Sequence, residues 1–227
     1  MTLPETMKTL ESLGTEQNRK VYRRHGAGDN QFGVSFANLE KLKKQIKVDQ
    51  ELAAQLWQTG NLDARNLATL IADPVQMSAR DLESWATSVT CYLHADLIVR
   101  YVVSRSPLAR QKMEAWTRSK DDFVSQAGFD LAGVLAMQDP DLPDTLFEKY
   151  LRTIERDIHG AKNRTRHAMN GALIGIGLRS PKLQKLALAA AKRIGKVEVD
   201  HGETGCKTPD AAAYILKAAA RKKKSAR

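Results

Sequence analysis

SFANLEKLKKQI, residues 35–46, reads as an amphipathic helix. Ser35 offers the side-chain oxygen that a helix start needs. Phe36, Leu39, Leu42 and Ile46 then recur at helical spacing, while Lys41, Lys43, Lys44 and Lys47 occupy other directions. One face is set to be buried and the other to be basic. The pattern restarts about every 40 residues, with a capping residue and an apolar helical run near Ser35, Ser78, Asp121, Asn163 and Thr208, which is the period of stacked helix pairs. Strand-like alternation is confined to KVEVD at 196–200, too brief to found a sheet. The sequence predicts an all-α helical-repeat solenoid of about five helix pairs, forming a single domain over residues 1–220.

The punctuation between repeats supports that reading. Residues 4–25 make two short helices broken at Gly14, with Thr15 as cap, and the turn-rich HGAGDNQFG follows to Gly33. Asp49 restarts a helix that stops at Gly60-Asn61, and Leu62, Leu67, Leu70 and Ile71 continue to Asp73-Pro74. A break at 90–93 leads into Leu97, Ile98, Val102 and Val103, closed by Ser106-Pro107. Helices near 107–118, 121–137, 143–157, 163–178 and 181–195 come next, with Asp139-Pro140-Asp141-Leu142-Pro143 as a firm stop. The irregular loop VDHGETGCKTPD, residues 199–210, precedes a last helix capped at Thr208-Pro209-Asp210. Residues 221–227 form a basic tail whose composition points to disorder.

Charge narrows the partner. Lys and Arg total 36 against 26 Asp and Glu among 227 residues, a net charge of +10 that favours a polyanion. Lys182, Lys185, Lys192 and Lys196 fall on one side of the helix from 181, and Arg164, Arg166 and His167 open the helix before it, where free backbone N–H groups suit phosphate. Two cysteines, Cys91 and Cys206, make no disulfide framework, so a reducing compartment is expected. MTLPETMKTL has no signal-type apolar segment, and no apolar run approaches the roughly 20 residues that span a bilayer, so the expected location is cytoplasmic.

Cofactor chemistry finds little support. Cys91-x-x-His94 and His201-x4-Cys206 lack zinc-finger spacing, and Gly26-Ala27-Gly28 and Gly175-Ile176-Gly177 lack the strand-turn-helix setting of a dinucleotide site. Neither a metal nor a cofactor is expected. Trp57, Trp85 and Trp116 lie inside helical patterns and read as core. Asp96 is the carboxylate that stands out, one helical turn after Tyr92 and just before Leu97, Ile98 and Val99; it can cap a helix or face a ligand.

These residues resemble the bacterial DNA alkylation repair glycosylases built from HEAT-like repeats. The resemblance runs from Tyr22 through Phe32-Gly33-Val34, the helix NLEKLKKQI, Leu56-Trp57, the block Asp96-Leu97-Ile98-Val99 and the repeats after residue 120. It implies hydrolysis of the N-glycosidic bond of N3- or N7-alkylated purines, with double-stranded DNA, alkylated or distorted, held on a concave basic face. It places the catalytic carboxylate on Asp96, which would stabilise the oxocarbenium sugar and position water. The family's aromatic neighbour, tryptophan in active members, falls on Tyr92, and its N-terminal aromatic falls on Tyr22. Its arginine and second tryptophan fall on Gln126 and Gly171.

The candidate DNA-contacting residues are therefore Tyr22, Tyr92, Gln126, Lys41, Lys44, Arg164, Arg166, Lys182 and Lys185. A retained Asp96 in a thinned aromatic cage is compatible with excision, or with binding of damaged or branched DNA without chemistry. A protein–protein scaffold is the third reading open to a helical repeat. No membrane and no obligate protein partner is expected.

Overall fold

The computed structural model describes the backbone of residues 1–225 and the side chains of residues 1–221. Within them lie thirteen α-helices and no strand beyond an isolated bridge between Gly14 and Val34. Residues 196–200 take no strand conformation, because no neighbouring strand satisfies their backbone.

Contacts divide the chain into two compact units where the sequence reading expected one domain. The first comprises Met1–Ala109 with Gly202–Thr204, and the second starts at Arg110 and takes the rest. The boundary follows the Ser106-Pro107 stop.

The first unit holds α1 (Leu3–Leu13), α2 (Glu16–Arg24), α3 (Phe36–Ile46), α4 (Gln50–Gln58), α5 (Leu62–Ile71), α6 (Ala79–Thr87) and α7 (Tyr92–Leu97). Side-chain caps fix the starts of most of these: Thr15, Ser35, Asp49, Asn61 and Ser78 each accept a backbone N–H of the first turn. Ser78 and Asp81 close a reciprocal capping box. On α3, Leu39 and Leu42 are buried while Lys41 and Lys44 are exposed, as the spacing predicts, but Phe36, expected on the buried face, is 38% exposed and Ile46 is half-buried. Helix α5 is different, with nine of its ten residues buried, so it forms the centre of this unit. Helix α7 continues into a π-helical turn, Ile98–Val102, and a 3-10 turn, Val103–Arg105.

The second unit holds α8 (Ala109–Trp116), α9 (Asp122–Gln138), α10 (Asp144–Asp157), α11 (Asn163–Gly177), α12 (Pro181–Ile194) and α13 (Ala211–Ser225). Helices α9 and α11 are buried along most of their length and pack against each other through glycines, Gly133 facing Gly175. Helices α10 and α12 are amphipathic, burying Phe147, Leu151, Ile154, Leu183, Ala187 and Ile194.

Three local expectations change. Asn163 is the first residue of α11, and its side chain holds Asp200 N at 2.9 Å and Asp200 O at 2.8 Å instead of capping the helix. Asp210, not Thr208, caps α13, accepting from Ala213 N at 2.8 Å, while Thr208 pairs with His201 Nε2 at 3.0 Å. The backbone stays helical through Ser225, past residue 221 where composition pointed to a disordered tail; residues 226 and 227 lie outside the described residues.

Candidate nucleic-acid interface

In the first unit, the segment Phe32–Val34 is fastened from both sides. Asp63, near the start of α5, accepts Phe32 N at 2.6 Å and Gly33 N at 2.9 Å on Oδ2, and Val34 N at 2.8 Å on Oδ1. From α2, Arg19 Nε donates to Phe32 O at 3.0 Å, Asn18 Nδ2 to Gly33 O at 3.0 Å, and the Tyr22 hydroxyl to Val34 O at 2.6 Å. Burial pushes the Tyr22 phenol up to about 12, with the Asp63 charge adding to it, so the hydroxyl remains a donor. Its ring packs on Ala27, Leu62 and Cys91. Tyr22, expected as a DNA contact, thus has its polar end committed inside the protein and offers only its half-exposed ring.

Tyr92 opens α7 on the same cluster. The Cys91 thiol donates to His25 O at 3.4 Å, and His25 Nδ1 bonds the Tyr92 hydroxyl. Asp96 lies one turn further on and is exposed. Tyr92 and Asp96 therefore share one face of one short helix, with the ring oriented by His25. Beneath them His94 is 2% exposed, contacts Leu62 O through Nε2 at 3.3 Å and tilts against Trp57, which stacks on Trp85 at 4.2 Å. Trp57, Trp85 and, in the second unit, Trp116 are buried, so all three are core.

Burial holds the His94 ring down at about 4, well below its ordinary 6.5. Its native state takes up a proton less readily than the unfolded chain, so stability present above pH 6.5 is lost as pH falls through the window from 6.5 to 4. The full loss is about 3 kcal/mol by linkage at 1.4 kcal/mol per unit. Denaturant midpoints measured across that window will fall, and the His94 ring protons will show no NMR titration above pH 5. A ring titrating near 6.5 would refute the assignment.

Three cations gather on one aromatic ring just after α7 in the chain. Arg100 and Tyr101 lie on the π-helical turn and Arg105 ends the 3-10 turn; Lys43 comes from α3. Lys43 Nζ, Arg100 Cζ and Arg105 Cζ sit 5.5, 5.3 and 5.9 Å from the Tyr101 ring centroid. The stretch RYVVSR at 100–105 carries this signal as basic residues interleaved with an aromatic, but the apolar run around it reads first as core.

In the second unit the expected phosphate site at the start of α11 is already filled. Asp122 Oδ1 and Oδ2 accept Thr165 N at 2.8 Å and Arg164 N at 3.1 Å, and Oδ1 also takes the Thr165 hydroxyl at 2.9 Å. A carboxylate stands where the anion would bind. Arg166 is likewise spent, donating to Glu198 O at 3.0 Å, His159 O at 3.1 Å and Ala161 O at 2.8 Å. Together with Asn163 and with Asn170, which donates to Pro209 O at 3.0 Å, it straps the 196–210 loop to α11. A cavity of 1310 Å³ lies under that loop, walled by Arg166, Asn170, Lys192, His201 and Lys207.

The lysine stripe is shorter than expected. Helix α12 ends at Ile194, and Gly195 turns the chain with φ +69°, so Lys196 leaves the helix and pairs with Glu198 at 2.8 Å. Lys182 pairs with Glu148 at 2.7 Å, leaving Lys185 and Lys192 exposed on the helix. Gln126, expected as a DNA contact, is 1% exposed on α9 and turned into the protein, so it belongs to the core. At Gly171, by contrast, a Cβ would meet nothing within 4 Å, so the face is open and carries no side chain.

The DNA alkylation repair enzyme family matches residues 6–215. The chain belongs to that family. A solved structure described as one of a new family of proteins related to the HEAT-like repeat DNA glycosylases, with affinity for branched DNA structures, superposes with a TM-score of 0.89. It shares 31% identity over 98% of this chain and 95% of its own. Lin0241 of Listeria innocua is 29% identical over 92% of this chain and 93% of its own, and Lmo0209 of Listeria monocytogenes is 29% identical over 94% and 96%.

The fold is the all-α HEAT-like repeat fold of the DNA alkylation repair family. Among the described residues no three His, Cys, Asp or Glu side chains gather as a metal site, and no helix is long and apolar enough to cross a membrane. Of the residues singled out by the resemblance, Asp96 is exposed, Tyr92 is held by His25, and Gly171 is bare.

Proposed function

We propose that this member of the DNA alkylation repair family binds double-stranded DNA distorted by damage or branching, and that binding rather than base excision is its main activity. The observation that carries this is Gly171, exposed with open space where the family resemblance places a tryptophan. A cationic alkylpurine gains about 0.5 to 2 kcal/mol from an aromatic face, and Gly171 supplies none. Affinity for branched DNA in the structural relative is consistent with that loss. The net charge of +10 supplies the general attraction to phosphate.

One observation favours excision as a second reading: Asp96 faces solvent beside Tyr92, as a carboxylate stabilising an oxocarbenium sugar and positioning water must. A binding titration on three-way-junction and linear duplex DNA of equal length, run beside a base-release assay on methylated DNA, tests both. Binding predicts tighter retention of the junction, falling with salt, and no release of 7-methylguanine or 3-methyladenine. Release by the wild type that drops at least about 100-fold in Asp96→Asn would instead establish excision, that being the scale on which transition-state charge stabilisation is lost. Equal, weak affinity for both DNAs would refute the binding reading.

A further inference from the structure

Tyr101 is ringed by cations that the fold does not neutralise. Lys43, Arg100 and Arg105 all lie within 5.9 Å of its centroid, which puts the two guanidinium carbons within about 11 Å of each other. That separation is close to one Debye length at physiological salt, about 8 Å, so their repulsion is only partly screened. Among the described residues the only acid paired with the group is Glu40, 3.6 Å from Lys43, and neither arginine forms an ion pair. Both arginines are exposed and the ring is half-buried. A tyrosine face attracts each cation by roughly 0.5 to 1 kcal/mol at an exposed site, enough to orient them but not to neutralise them.

The group is also built on unusual backbone. Arg100 and Tyr101 lie on the π-helical turn, a conformation that recurs at functional sites, and Arg100 lies four residues past Asp96. Exposed Lys41 and Lys44 flank Lys43 on α3. Two preoriented guanidinium forks and an ammonium with a net surplus of positive charge match one ligand chemistry, consecutive phosphodiesters of a nucleic-acid strand.

We propose that Lys43, Arg100 and Arg105, gathered on Tyr101, are a phosphate-backbone binding site for the DNA strand that passes Asp96. The proposal rests on the DNA-binding reading above and gives it a location in the first unit. The site positions the duplex and reads no sequence, since phosphate contacts carry none. The Tyr101 ring acts through the arginines by holding them together.

The test is the salt dependence of binding to a three-way junction by the full chain. Each phosphate contact contributes a slope of about −0.9 in log affinity against log salt. Arg100→Gln/Arg105→Gln will flatten the slope by about 2 and weaken binding about thirtyfold near 0.15 M salt, with the two curves converging toward 1 M. Lys8→Gln/Arg80→Gln removes the same charge from exposed positions elsewhere in the unit and will leave most of the slope in place. Tyr101→Leu, which keeps every charge, will weaken binding severalfold without changing the slope. Thermal melting of each variant checks that it folds; all four substituted cations are exposed.

If the wild type binds and the double arginine variant matches it in affinity and slope, the Tyr101 site is refuted and DNA binding stands. If the control pair flattens the slope equally, the attraction is diffuse and the site is again refuted. A wild type that retains no DNA would overturn both the site and the functional reading. Retention of anionic lipid vesicles in place of DNA, lost with the arginines, would assign the cluster to a membrane surface and sink the proposal.

Discussion

Asp63→Ala will destabilise the first unit by about 4 kcal/mol, on the order of half of a typical domain's stability. The carboxylate accepts three backbone N–H groups from consecutive residues, Phe32, Gly33 and Val34, and Asp63 is itself fully buried. Alanine leaves those donors without an acceptor in a place water does not reach, and an unmade buried hydrogen bond costs about 1 to 3 kcal/mol. Gly33 sits at φ +80°, and a Cβ there would lie 2.4 Å from Thr15 O, so the segment has little room to turn its amides elsewhere.

Asp63→Asn keeps one carbonyl oxygen and will lose about half as much. Burial pushes the Asp63 carboxyl up and the three backbone donors pull it down, burial prevailing. Urea denaturation of the wild type and both variants gives the order directly; equal midpoints would mean that the segment does not depend on the carboxylate. Because Tyr22 is bonded to the same segment, Asp63→Ala should also loosen the Tyr22 ring and so the surface around α7.

The second large effect is a contrast within one helix. Gly171 and Gly175 lie one turn apart on α11, identical in sequence terms and opposite in surroundings. A Cβ on Gly175 would sit 2.7 Å from Gly133 O and 2.9 Å from Gly133 Cα, backbone atoms of α9 that cannot step aside without separating the two helices. Gly175→Val will cost the second unit about 3 kcal/mol or more, beyond any gain in helix propensity. Gly171→Ala meets open space and will stabilise by about 0.5 to 1 kcal/mol through reduced freedom of the unfolded chain. Melting temperatures moving in opposite directions confirm the close crossing of α9 and α11; a tolerated valine would show that the helices can part.

The helices were legible because their starts carry local chemistry. Ser35, Asp49, Ser78 and Asp121 cap where the spacing places them, and the breaks at Gly14, Gly60 and Ser106-Pro107 are breaks in the fold. The misreadings are cases in which a distant residue displaced a local one. Asp122 took the amides of α11 that seemed open to phosphate, the 196–210 loop took Arg166, and Glu148 took Lys182. None of these partners lies within a helical turn of the residue it claims, so no periodicity points to it.

The Tyr101 cluster escaped for the converse reason. Lys43 reaches it from α3 while Arg100 and Arg105 come from the turns after α7, and a π-helical turn breaks the spacing by which one face of a helix is read. Gln126 shows the limit from the other side. The family resemblance puts Gln126 on the DNA-facing surface, yet α9 is buried around nearly its whole circumference and includes it.

From its residues alone, the chain determined that it would be all-helical, where most helices begin and end, and that its surface would be cationic. These follow from capping, spacing and composition, which act within a few residues or over the whole chain at once. Tertiary structure decided which cations remain free for a ligand, that Asp96 faces outward beside a tethered Tyr92, and that Gly171 is bare where Gly175 is jammed. Those outcomes depend on which donor meets which acceptor across tens of residues, and close packing settles that competition only once the helices are in contact.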